Sequence, residues 1–171
     1  KTLIVDNKII NLDDKPMFFS VGGHPAFNAP LYEGETYEDY FLEFDQKLDL
    51  NSHLLNEDGL ISSETVEITR NDNKIQLHRN LFDKDALIFK NIESKKVALK
   101  SRKSGTVLTV EYNDFKDLGI WAKPEAPYVC IEPWLGYADV EGTTQDIKTK
   151  EGIISIMPSQ DFSAFYAITI A

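Results

Sequence analysis

A single cysteine, Cys130, is all the thiol this 171-residue chain holds. No internal disulfide can form, and a reducing, cytoplasmic setting is the default. Long apolar runs are missing too. None approaches the roughly 20 residues that a membrane helix needs, so no membrane partner is expected. The opening stretch, "KTLIVDNKII", carries charges inside its first ten residues and does not read as a secretory signal. Positive charge is scarce, with 18 Lys and Arg against 28 Asp and Glu and a net charge of −10. A phosphate backbone wants a basic face, so nucleic acid and anionic lipid are excluded as partners. A phosphorylated small molecule is disfavoured only weakly, because a local pocket can oppose the global charge.

The motifs of common chemistries are also absent. There is no P-loop, no GxSxG elbow and no GxGxxG after a strand. Without a cysteine pair or an HExxH motif no metal site is expected, and nothing in the chain asks for a cofactor. His53 and His78 stand in polar surroundings with no partner at ligand spacing. No stretch keeps a 3.6-residue apolar period for three turns. Leu48–Leu60 is the best helical candidate, worth a turn or two, and Gly59 weakens it.

What the chain does have is roughly a dozen short runs of strand type, divided by turn clusters. Leu3–Ile10, Ala86–Ile92, Thr106–Tyr112, Tyr128–Ile131 and Phe162–Ile170 are among them. "TVLTVEY" alternates, with Leu108, Val110 and Tyr112 on one face and Val107, Thr109 and Glu111 on the other. "NDN" (Asn71–Asn73) suits a hairpin loop between strands at Val66–Arg70 and Lys74–His78, and "KSG" (Lys103–Gly105) suits another. With no repeat and no linker, residues 1–171 read as one all-β domain, an antiparallel sandwich or barrel.

Polar residues interrupt this strand logic in two places. In "SVGGHPAFNAPL" (Ser20–Leu31), His24 follows two glycines, which permit unusual backbone angles or close approach, and Pro25 biases it towards an extended conformation. Such a histidine can act as acid or base near neutral pH, or simply cap a loop carbonyl. In "YVCIEPWLGYAD" (Tyr128–Asp139), Glu132 ends an apolar run. It is either a partly desolvated base or a rim carboxylate paired with a lysine. Trp134 either stacks on a sugar face or fills the core. Asp83 and Asp85, in "LFDKDALIF", have the placement of turn formers. Cys130 reads as a small core hydrophobe, since burial raises a thiol's pKa.

Together, "FFSVGGHPAFNAPL", "LFDKDALIF", "GIWAKPEAPYVCIEPWLGYAD" and "ISIMPSQDFSAFYAITI" resemble the aldose 1-epimerase (galactose mutarotase) superfamily over nearly the whole chain. Within it, the bacterial LacX-like branch is most similar. The resemblance implies an antiparallel β-sandwich of the twisted "supersandwich" type with a sugar site on one face. It implies His24 as general acid and Glu132 as general base in ring opening. Asp85, rather than Asp83, and also Trp134 and Asn28, are implied as sugar-binding residues. The substrate is then a hexose or hexose phosphate, with no metal or cofactor. Family members carry a substantial portion ahead of the GHPAFN block, and here that block begins about twenty residues in. The resemblance therefore implies the C-terminal part of the family domain, lacking its N-terminal portion. Such a part would expose an apolar strand edge inviting a homodimer or aggregation.

Three functions follow from this reading. One is a mutarotase, the second is a non-catalytic carbohydrate-binding or regulatory module on the same fold, and the third is an accessory β-domain with no site. The third predicts His24 and Glu132 far apart. The first predicts them facing one cleft across roughly 5–9 Å, with Asp85 bordering it.

Overall fold

The computed structural model describes residues 1–171, and strands make up most of it. In chain order they are β1 (Thr2–Ile10), β2 (Met17–Phe19), β3 (Val21–Gly22), β4 (Ala26–Asn28), β5 (Tyr40–Leu55), β6 (Ile61–Gln76) and β7 (Leu87–Phe89). They continue with β8 (Lys96–Ser101), β9 (Gly105–Glu111), β10 (Asp117–Trp121), β11 (Tyr128–Leu135), β12 (Ile154–Ile156) and β13 (Asp161–Ile170). Helix is limited to two 3-10 turns, Tyr37–Asp39 and Ile147–Thr149. No helix is long and apolar enough to cross a membrane.

Eleven strands form one antiparallel sheet in the order β1-β13-β9-β8-β5-β7-β10-β11-β3, with β4 also on β11 and β6 on β5. Strands β2 and β12 make a separate pair. The large sheet curls over one core of 28 buried residues drawn from strands along nearly its whole width. Leucines line up across three neighbouring strands there. Leu42 on β5 faces Leu99 on β8, and Leu99 faces Leu108 on β9.

The expected helical turn at Leu48–Leu60 is not formed. Leu48, Leu50 and Ser52 are buried while Asp49 and Asn51 are exposed, a two-residue period that belongs to a strand. Asn56 then closes the hairpin, its side-chain oxygen accepting the N–H groups of Asp58 and Leu60. Gly59 takes the left-handed conformation that this turn requires, with φ +75°. The hairpin expected at Asn71–Asn73 is also a strand interior. Those residues lie within β6 at a bulge where the register to β5 shifts. Asn71 sits at φ 49° and donates its N–H to Asp49. One long bulged strand replaces two short ones because Asp49 satisfies the backbone group that the bulge frees. The Lys103–Gly105 hairpin forms between β8 and β9, with Ser101 Oγ accepting from the N–H groups of Lys103 and Ser104.

The two long edges are managed differently. β6 is bulged and studded with Glu64, Glu67, Arg70, Asp72 and Lys74, which discourages pairing with another chain. β1 pairs with β13 alone and leaves Leu3, Ile4 and Ile10 exposed. This is an apolar edge of the kind the sequence led us to expect.

Two outcomes follow. Leu99→Ala, which opens a cavity beside Leu42 and Leu108, should lower unfolding free energy by about 2–5 kcal/mol in urea titration. Ile4→Lys should shift the elution profile in size-exclusion chromatography towards the monomer. An unchanged monomeric profile in both proteins would show that β1 does not recruit a second copy.

Candidate active site

The site is built by one strand that pairs on both sides. On one side of β11, β10 sets Gly119 opposite Glu132, Trp121 opposite Cys130 and Asp117 opposite Trp134. On the other, β3 sets Gly22 opposite Trp134 and β4 sets Ala26 opposite Cys130. The chain therefore leaves β11 at Gly22 and rejoins it at Ala26. Gly23, His24 and Pro25 must arch over the position between, which is Glu132. Gly23 N–H donates to Pro133 O at 3.0 Å, and Ile131 N–H donates to Pro25 O at 3.2 Å. Both feet of the arch are thus pinned.

The two glycines permit close approach and not an unusual backbone, since neither lies in the left-handed region. A Cβ on Gly22 would sit 2.9 Å from the Trp134 ring, and one on Gly23 would sit 2.6 Å from the Tyr166 ring. Gly119 plays the same part from the other side, with the Trp134 indole lying where its side chain would be. Trp134 is thereby held between Gly22 and Gly119.

Alternation along β11 turns Val129 and Ile131 to the core and Cys130, Glu132 and Trp134 to the opposite face. His24 Nε2 stands 3.3 Å from Glu132 Oε1. The carboxylate side chain is 5% exposed and the imidazole 62%. Burial raises the Glu132 pKa, while the nearby His24 and the Trp134 indole N–H oppose the rise. A buried carboxylate held partly basic beside a solvent-facing imidazole is a combination suited to proton transfer. The expected 5–9 Å gap is absent, because a carboxylate out of water is stabilised by the nearest donor, and the arch puts the imidazole within its reach. An accessory domain with the two residues far apart is contradicted by the same distance.

The other residues named from the sequence fall around this pair unevenly. Trp134 lines an open groove of about 470 Å³ together with His24, Gly22, Gly23 and Tyr137. Asn28 is exposed at the rim, opposite Tyr128 in the β4–β11 register. Asp85 is exposed, holds a left-handed φ of 77° and accepts the N–H of Ala86 at 2.7 Å, as a turn former would. It lies just before β7, whose Leu87 faces Ile120, so it stands towards the Trp121 end of β10 and, against expectation, does not line the groove that holds His24 and Trp134. Asp83 is bonded to Asn80.

Trp121 was not singled out from the sequence. Its ring meets His24 edge-on at 6.3 Å and Tyr128 at 6.3 Å, making an aromatic corner beside the acid–base pair. The signal was the spacing of Gly119 and Trp121 in "GIW", two positions apart and so on one strand face. A roomier recess of about 530 Å³ lies at the β5 bulge, lined by Lys47, His53 and Lys90 among others. It contains neither His24 nor Glu132, whereas the more open groove is lined by His24, with Glu132 buried beneath the imidazole.

No family model matches the chain. The plasmid and chromosomal forms of protein LacX from Lactococcus lactis subsp. lactis are each 33% identical over 174 residues, covering 99% of this chain and 58% of their own. The chain therefore spans under two thirds of the curated relatives it matches. Among solved structures, the galactose mutarotase related enzyme from Lactobacillus acidophilus is 31% identical with a TM-score of 0.90, over 99% of this chain and 57% of that one. A galactose mutarotase-like protein from Lactobacillus casei ATCC 334 is 27% identical with a TM-score of 0.86, over 98% of this chain and 58% of that one.

Gly119→Ala tests the indole's seat. The added methyl must push the ring out, so stability should fall by about 1–3 kcal/mol and the near-ultraviolet circular dichroism should change. A variant with unchanged stability and spectrum would show that the ring has room to spare.

Proposed function

We propose that this chain, which belongs to the galactose mutarotase-like superfamily on its LacX-like branch, carries the acid–base pair of an aldose 1-epimerase acting on a hexose. The observation that carries the reading is the contact between His24 and the buried Glu132 carboxylate, on a sheet face flanked by Trp121, Tyr128 and Trp134. Simple binding of a sugar needs hydroxyl partners and a stacking surface. It does not need an exposed imidazole held against a buried carboxylate.

Mutarotation needs little more than that pair. Glu132 takes the proton of the C1 hydroxyl while His24 protonates the ring oxygen, and the bond between C1 and the ring oxygen breaks. The product is an open-chain aldehyde. Rotation about the C1–C2 bond turns its other face towards the C5 hydroxyl. Ring closure then runs in reverse: His24 takes the C5 hydroxyl proton as it attacks, and Glu132 returns its proton to the oxygen on C1. Both groups end as they began. C1 and the ring oxygen are bonded neighbours, so acid and base must reach adjacent atoms. The imidazole, being exposed, is the partner that gives way to the ring, while the carboxylate stays fixed by the strand.

The aromatic corner of Trp121 and Tyr128 offers the apolar face of a pyranose a surface to stack on. Asn28 and Asp85, both exposed at this end of the sheet, are proposed as hydroxyl partners.

Glu132→Gln keeps the shape of the side chain and removes the base. In polarimetry of the whole protein on α-galactose and α-glucose, it should slow anomer interconversion at least about a hundredfold. A rate like that of the unmodified protein would leave sugar binding without turnover as the function.

A further inference from the structure

The same arch brings a third group to His24 and Glu132. Cys130 lies two residues before Glu132 on the same strand face, and the His24, Cys130 and Glu132 ligand atoms all lie within 4.8 Å of one another. The sequence predicts no metal site, because it has neither a cysteine pair nor an HExxH motif. The fold supplies what spacing does not. We propose that His24, Cys130 and Glu132 form a binding site for a single zinc-type transition-metal ion.

Four observations support it. First, the ligand types match: an imidazole, a thiolate and a carboxylate are the groups that zinc takes, and a set holding sulfur and nitrogen selects against calcium and magnesium. Second, the His24–Glu132 spacing fits as it stands, with the Cys130 sulfur within 4.8 Å of both. Two ligands each about 2.0 Å from a tetrahedral ion stand about 3.3 Å apart, and His24 Nε2 and Glu132 Oε1 are separated by 3.3 Å. Third, the charges balance, since one thiolate and one carboxylate neutralise a dication in a site with little water. Fourth, Cys130 and Glu132 form a buried floor, and His24 covers them from the exposed side. Burial pushes the Cys130 thiol up to about 11, so the free cysteine is protonated and the thiolate forms only as the ion arrives. Under the acid–base role proposed above, the bound ion occupies the base and competes with the sugar. The binding itself requires no such role.

Cobalt(II) provides the test, because its bond to a thiolate gives a charge-transfer band in the near ultraviolet. Cys130 is the chain's one cysteine, so the band reports on this site alone. Titration of the whole, metal-free protein with Co2+ should give a band that saturates at one ion per chain and disappears when Zn2+ is added. Cys130→Ser should abolish it. His24→Ala, at an exposed position, and Glu132→Gln should each weaken Co2+ binding at least about tenfold. In a thermal melt, Zn2+ should raise the Tm of the unmodified protein and not of His24→Ala. No band in the unmodified protein, or a band of undiminished affinity in both His24→Ala and Glu132→Gln, would overturn the site. The readout needs no catalysis, so a protein that binds cobalt yet, free of metal, does not turn over sugar refutes the mutarotase reading and keeps this one.

Discussion

Glu132 has a bonded strand on one side, the glycine-bounded arch on the other, and almost no water on its carboxylate. A carboxylate in that position is costly unless something nearby answers its charge. The arch from Gly22 to Ala26 exists to bring that answer. Its length is set by the register of β3 and β4 on β11, its feet are pinned at Pro133 and Ile131, and its glycines fit because Trp134 and Tyr166 fill the space that side chains would need. Geometry, electrostatics and packing at the site are one arrangement seen three ways.

The fold class was legible because alternation survives in long strands such as β1, β5 and β13, while β7, β10 and β11 keep the continuous apolar runs of buried strands. Two local readings failed for a shared reason. At Leu48–Leu60 and at Asn71–Asn73 the residues have turn and helix propensities that a long hairpin overrides. The hairpin of β5 and β6 is held by partners far away in sequence, such as Asp49 with Asn71 and Asn73 with the Phe44 carbonyl. Propensity reads near neighbours, and these partners are not near.

The site was legible in its residue types and not in its distances. His24 and Glu132 stand out because each interrupts a strand with a group that a core does not want. Their contact depends on pairings among three strands, which no local pattern encodes. Trp121 was missed for the opposite reason. It sits at a strand end in an apolar run, where an aromatic looks like core, and only the position of His24 turns it into part of a binding surface. Asp85 was weighed as a turn former and as a sugar ligand, and its bond to Ala86 shows the first of these directly.

The pairing of β1 with β13 joins segments far apart in the chain, with Thr2 bonded through its hydroxyl to Thr169, 167 residues on. A ribosome adding about 5–20 residues per second needs roughly ten to thirty seconds to make the partner that β1 lacks. Through that interval the side of β1 that bonds to β13 waits for a strand not yet made, and this pairing cannot form before β13 emerges. Synthesis, more than the finished molecule, is when β1 goes longest without β13.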